Sequence, residues 1–152
     1  MQLSDLIRST HTCRYYKPDP LPPALIARVV DAARWAPSGG NRQPLSVVVV
    51  RDHAQKVALR DLYLPIWNTY VEGLRSGSVR LGARSSTIDS ANHFAQHMAE
   101  IPVLLLVCAR LADVHPTDNQ LGRLSIVGGA SVYPAVQNML LTARNEGLGS
   151  AL

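Results

Sequence analysis

Cysteine is almost absent from this sequence: Cys13 and Cys108 are the whole complement. Such a pair makes neither a disulfide framework nor a C-x-x-C motif, and it suits a reducing cytosol. Long hydrophobic runs are missing too, since the longest, Ile101–Ala109, is far too short to span a bilayer. No apolar h-region follows the N-terminus, where Asp5 already interrupts the first apolar turn, so no signal peptide is expected. The net charge of +4 comes from scattered arginines and not from a basic block. That favours a small anionic ligand over a nucleic-acid groove. Neither G-x-G-x-x-G nor a P-loop is present, and Gly39-Gly40 follows a helical pattern, not a strand, which argues against a nucleotide-fold dehydrogenase. No nucleophile or acid–base dyad stands out.

What is present is globular in kind. Over 152 residues, 47% are hydrophobic and 17% charged, enough for a single domain (1–152) whose core needs no disulfide or metal staple. A soluble, cytoplasmic protein is expected.

One stretch stands at the centre of the chain: Trp35-Ala36-Pro37-Ser38-Gly39-Gly40-Asn41-Arg42-Gln43-Pro44. A helical pattern enters it, and the strand-like run Leu45–Val50 leaves it. Two prolines fence the loop, and two glycines allow close backbone approach or positive φ. Ser38, Asn41 and Gln43 both donate and accept hydrogen bonds, while Arg42 brings a fixed charge. The loop reads as a ligand surface, with an ordinary helix-to-strand connection as the alternative.

Upstream, Leu3, Leu6 and Ile7 fall on one face of a short helix. The segment Arg8–Lys17 then carries three cations, several hydroxyls and no acid. It can cradle a phosphate or can be a solvated basic loop. After the proline-rich spacer 18–23, a helix is expected from about Pro22 to Arg34. Asp52 signals the cap of a longer helix reaching about Leu74, which Pro65 should kink or split. Arg75–Ser90 loses periodicity and reads as a mobile loop, either a lid or a surface insertion. His93 and His97 have the helical spacing of zinc ligands, yet no third ligand is evident, so no metal site is expected. Pro102–Ala109 reads as a central apolar strand with Cys108 buried. A last helix is expected from about Leu124 to Asn145, kinked at Pro134 and stopped by Gly147. Within it, Gly128-Gly129-Ala130-Ser131 leaves a bare patch for a neighbouring helix or a flat ligand.

Three blocks carry a resemblance to the FMN-dependent nitroreductase family, and more narrowly to a nitroreductase-like group common in actinobacteria. They are His11–Tyr16, Ala36–Pro44 and Gly129–Pro134 continuing through Gln137-Asn138 to Ala143–Gly149. They occur in the family's order and spacing, and the middle block is the most specific.

The resemblance implies an α+β fold, an α/β/α sandwich with a mainly antiparallel central sheet flanked by helices, built as an intertwined homodimer with FMN at the interface. It places Arg14 at the FMN phosphate, helped by Thr12 and the backbone near His11. Pro37, Ser38, Gly39 and Asn41 would come from the partner subunit and line the isoalloxazine and ribityl groups, with Gln43 just behind. Ser131 would lie close to the flavin ring. The implied activity is an oxidoreductase passing hydride from NAD(P)H through flavin N5 to an electron-poor acceptor, a nitroaromatic or quinone, in ping-pong fashion. No catalytic side chain is required. The alternatives are a non-catalytic flavin-binding or storage relative and a shortened form that does not bind FMN.

Two departures from the family pattern stand out. Thr10 occupies a position where many members carry arginine. Members also usually extend past the equivalent of Leu152, with further flavin contacts and a dimer-embracing arm, so the chain is expected to be a C-terminally truncated piece of a longer protein.

Overall fold

A computed structural model describes residues 2–79, 85–123 and 125–152. The apolar runs form the strands, β1 at Leu45–Val50 and β2 at Leu104–Ala109, in a two-stranded sheet. Arg110 N–H, just after β2, reaches the carbonyl of Pro44, just before β1, at 2.7 Å. The start of one strand therefore meets the end of the other, and the pair is antiparallel. The α-helices are α1 (Leu3–Ser9), α2 (Pro23–Asp31), α3 (His53–Ser76), α4 (Ser85–Gln96) and α5 (Tyr133–Asn145).

Contacts gather the chain into two units. The first takes in the described residues up to Thr12, then Leu21–Val48 and Leu105–Leu152. Its core is Val29 and Ala33 against Ala135, Val136, Met139 and Ala143, with Leu45, Val47, Leu105 and Val107 packed alongside. Pro23 opens α2, where its missing N–H would have had no helical partner anyway. The last turn tightens into a 3₁₀ segment, Ala32–Trp35. Gly147, at φ +80°, ends α5, and Leu148 N–H returns to Ala143 O at 2.9 Å. That is the glycine stop expected from the sequence.

The start of α5 differs from expectation. The helix begins at Tyr133, not near Leu124, so Pro134 falls in its first turn and kinks nothing. Proline lacks the N–H that a longer helix would need there, but fits the first turn well. Gly128–Ser131 accordingly forms a turn, with Ala130 N–H on Val127 O at 2.9 Å. Its bare patch is filled by the protein itself: a Cβ on Gly129 would collide with the Tyr133 ring.

The irregular chain before α5 is organised on a carboxylate. Asp118 is only 5% exposed. It accepts hydrogen bonds from Ser125 Oγ at 2.6 Å, Ile126 N–H at 2.7 Å and Arg123 Nη1 at 2.7 Å. These donors, the Ser125 hydroxyl foremost, hold its carboxyl at about 2, below the ordinary 3.8. A depressed carboxylate adds stability that is fully present above the ordinary value and is lost as pH falls through the folded one. In an acid titration followed by NMR, the Ile126 amide should shift with a midpoint near 2. A midpoint near 3.8 would show that the carboxylate is not held this way.

The second unit comprises Cys13–Pro20 and the described residues of Val49–Leu104. Asp52 caps α3 by accepting Gln55 N–H at 2.9 Å. Pro65 lies inside α3 without splitting it, because one missing N–H leaves the rest of the ladder and the packing against α4 intact. Of the expected loop 75–90, most of the described residues are helical. Arg75 and Ser76 finish α3, Gly77 caps it at φ +78°, and α4 starts at Ser85. Residues 80–84 lie outside the described residues. Packing decides α4 where propensity is weak: Ala95 is fully buried, and Trp67 Nε1 donates to Asn92 Oδ1 at 3.1 Å. Lys56 is buried and donates to Ile101 O at 2.7 Å.

Two further expectations change. Cys108 is exposed, because an apolar strand residue is buried only where something packs over its face of the sheet. Leu3 and Ile7 of α1 are exposed as well. Among the described residues no helix is long and apolar enough to cross a membrane.

Candidate functional site

The central loop leaves the 3₁₀ end of α2 at Trp35, a residue that is 80% exposed. Ala36 and Ser38 are extended, with the exposed Pro37 between them. Ser38 Oγ then accepts Gln43 N–H at 3.0 Å, closing the loop on itself. Inside this closure the backbone is left-handed at Gly40 (φ +59°), Asn41 (φ +52°) and Gln43 (φ +47°). Gly40 meets that demand without penalty and asparagine tolerates it at Asn41, whereas Gln43 holds a conformation costing an L-residue about 1–2 kcal/mol. Gln43 Nε2 donates to Asn41 Oδ1 at 3.3 Å, which helps retain it. Strain of this kind concentrates at ligand-binding loops.

Gly39 is the informative residue. Its N–H donates to Ser131 Oγ at 3.0 Å, joining positions 92 residues apart. Yet its φ lies outside the left-handed region, and a Cβ there would meet only Ser131 Oγ at 3.7 Å, an ordinary contact. The fold needs glycine at 40 and does not need it at 39. Gly39→Ala should therefore leave stability within about 1 kcal/mol of the parent. A urea unfolding curve checks this, and a larger loss would mean that packing explains the residue.

Ser38, Gln43 and Ser131 share the wall of a cavity of about 170 Å³ with Val30, Ala33 and Leu45. The lining is mainly apolar, with a few hydroxyl and amide groups and Arg34 beside them, the composition of small-molecule sites. The structure thus brings together Ser38, Gly39, Asn41 and Gln43 with Ser131.

The basic segment is described in two parts. In the first unit, exposed His11 pairs its Nδ1 with Ser9 O at 2.9 Å, and Thr12 makes a parallel bridge with Ser150. Arg144 Nε donates to Ser9 Oγ at 3.1 Å. In the second unit, Arg14 is half-buried, and its Nη1 donates to Ser90 Oγ at 3.3 Å. No carboxylate pairs with Arg14 among the described residues. Nearby, Tyr16 OH donates to Cys13 O at 2.7 Å, and burial is the main cause pushing its phenol up to about 12. It is therefore a neutral donor at any physiological pH.

His93 and His97 stack at 4.0 Å, His93 also stacks on Tyr15 at 4.5 Å, and His97 Nδ1 lies 2.8 Å from His93 O. Among the described residues no three His, Cys, Asp or Glu side chains gather as metal ligands would. Sequence reasoning passed over Asp118 and Ser125. The one signal for them was an acid followed by a Ser- and Gly-containing irregular stretch, which is common in surface loops.

The model of the nitroreductase family matches residues 7–152. This chain belongs to the nitroreductase family. A 48-residue stretch is 50% identical to an NADH dehydrogenase of Thermus thermophilus, a match taking in 32% of this chain and 23% of that relative. Among solved structures, an oxidized iodotyrosine deiodinase bound to FMN and 3-iodo-L-tyrosine aligns with a TM-score of 0.71 at 24% identity, over 97% of this chain and 72% of that one. A BluB-like flavoprotein from Clostridium difficile 630 aligns with a TM-score of 0.67 at 22% identity, over 99% and 73%. At such identities the likeness establishes the nitroreductase-type α+β fold, with its small antiparallel sheet flanked by helices.

Proposed function

We propose that this nitroreductase-family chain works as an FMN-dependent oxidoreductase. The observation that carries the reading is the loop Ser38–Gln43: left-handed at Asn41 and Gln43, open at Gly39, and facing the Ser131 hydroxyl. FMN combines an anionic phosphate with a flat ring whose polar edge takes hydrogen bonds. The chain carries donors suited to each end. Arg14 is half-buried and, among the described residues, hydrogen-bonds to a serine hydroxyl and no carboxylate. It suits a charge-assisted phosphate contact, with help from Thr12 and the backbone near His11. Pro37, Ser38, Gly39, Asn41, Gln43 and Ser131 would hold the ring and ribityl chain, with the loop serving a partner subunit's cofactor. A cavity of about 170 Å³ is below the roughly 300–1,000 Å³ usual for ligand sites, which favours a site completed by a second copy in a homodimer.

When bound, FMN would take two electrons from NAD(P)H and pass them to an electron-poor acceptor of nitroaromatic or quinone type, in ping-pong order. The chain's own part is to orient the ring, to aim the Ser131 hydroxyl, whose oxygen holds Gly39 N–H, at its edge, and to neutralise the phosphate. No side chain has to serve as nucleophile. A cytoplasmic setting suits the two unpaired cysteines.

The test is an anaerobic absorption titration: add FMN to the purified chain, then NADPH or NADH, then a quinone. Uptake of flavin, bleaching, and recovery of colour with the quinone are expected. Bound flavin that neither nucleotide bleaches would reassign the chain as a non-catalytic flavin binder. Absence of uptake would end the flavin reading for this chain. In the titration, Gly39→Ala should weaken FMN binding by about tenfold while remaining folded.

A further inference from the structure

A buried carboxylate reaches the central loop through an unbroken set of contacts. Asp118 is fixed on one side by Ile126 N–H and Arg123. On the other side, the Ser125 hydroxyl donates to Asp118 Oδ1 at 2.6 Å and accepts Gly128 N–H at 2.9 Å. Gly128 starts the turn in which Ala130 N–H meets Val127 O and Val132 N–H meets Gly129 O, both at 2.9 Å. Ser131 sits within that turn, and its Oγ holds Gly39 N–H at 3.0 Å. The spacing is tight at the joint, since a Cβ on Gly128 would lie 3.1 Å from Ser125 Oγ.

The physical need is plain. A Gly-Gly-Ala-Ser turn has high backbone freedom and little side chain to pack, so its conformation must be imposed from outside. An ionised carboxylate accepting O–H and N–H donors in a buried setting makes strong, directional bonds suited to that task. The folded carboxyl lies well below its usual range, as those bonds require.

We propose that Asp118 is a positioning residue: through Ser125 and the Gly128–Ser131 turn it sets the place of Ser131 Oγ at the cavity and hence of the Gly39 N–H that this oxygen holds. The use of the Ser131 hydroxyl and its loop toward a cofactor rests on the flavin reading above; the positioning itself does not.

Amide hydrogen exchange on the full chain without ligand, paired with FMN titration, tests both parts separately. In Asp118→Asn and in Ser125→Ala, exchange at Gly39 N–H and across residues 125–132 should quicken by about tenfold or more, while Met139 in α5 keeps its rate. FMN affinity should fall by about tenfold in the same variants. Ser125→Thr, which retains the hydroxyl, should behave as the parent.

Faster exchange confined to 125–130, with Gly39 unchanged, would overturn the positioning role and leave Asp118 a local loop residue. An unaltered exchange profile would overturn it as well. Should Asp118→Asn loosen α5 too, Ser125→Ala decides, because it leaves the carboxylate with Ile126 and Arg123. A parent chain that takes up no FMN would remove the cofactor reading, while the Gly39 exchange rate would still decide the positioning.

Discussion

Arg14→Ala is expected to weaken FMN binding by about 1.5–3 kcal/mol, which is roughly ten- to a hundredfold in Kd. The expectation comes from what surrounds the guanidinium. It is half-buried, and its hydrogen bond is a 3.3 Å contact to the Ser90 hydroxyl. A guanidinium without a carboxylate partner gains more from a phosphate than one already neutralised, because the full charge remains to be compensated. The fold should hardly notice the change, since the Ser90 contact is long and its acceptor is uncharged. Arg14→Lys should recover only part of the affinity, as a point charge replaces a planar fork. Flavin fluorescence quenching reads the affinity and urea unfolding reads the stability. Unchanged affinity in Arg14→Ala would remove the phosphate role. A matching loss of stability would make the residue structural.

Met139→Ala is expected to destabilise the protein by about 2–5 kcal/mol. Met139 is 4% exposed on the inner face of α5, among Val29, Ala33, Ala135, Val136 and Ala143. Those neighbours are small, so they have few atoms with which to fill the space left by a thioether chain, and a cavity would remain. With typical domains stable by only about 5–15 kcal/mol, such a loss is a large share of the whole. Met139→Leu keeps volume and should cost under about 1.5 kcal/mol. Chemical denaturation of the pair separates cavity formation from a general intolerance at the site. A loss below about 1 kcal/mol in the alanine variant would show that α5 does not centre this core.

Much of the architecture was legible because its signals are local. Asp52 before an apolar-periodic run, Gly147 after one, and β-branched residues at Leu45–Val50 each state a cap, a stop or a strand within a few residues. The family was legible for a different reason: the blocks at His11–Tyr16, Ala36–Pro44 and Gly129–Gly149 are dense in residues with special backbone or hydrogen-bonding demands. Where reading along the chain went astray, competing local signals met a tertiary decision. The apolar spacing of 124–145 suggested one helix, but Pro134 is better placed in a first turn, and the glycines before it pack on Ser125 and Tyr133 instead. The Ser-rich stretch 85–90 lacks a strong period, yet α4 forms because Ala95 and Asn92 lie where they do against α3. Cys108 sits in an apolar run and is nevertheless exposed, since burial depends on what covers a strand and not on the strand's own composition.

Residue order alone thus specified the kinds of element, most of their boundaries, the family, and the glycine- and serine-containing loop as the place to look. It took the folded chain to show that Gly40 answers a backbone demand while Gly39 answers none, because φ and open space are properties of the fold. The same holds for Ser131 meeting Gly39 across 92 residues, and for a buried aspartate tied through Ser125 to the turn that carries Ser131. Local pattern encodes which conformation a residue prefers. Which distant group it finally faces is set when the core closes, by packing that no short window of sequence contains.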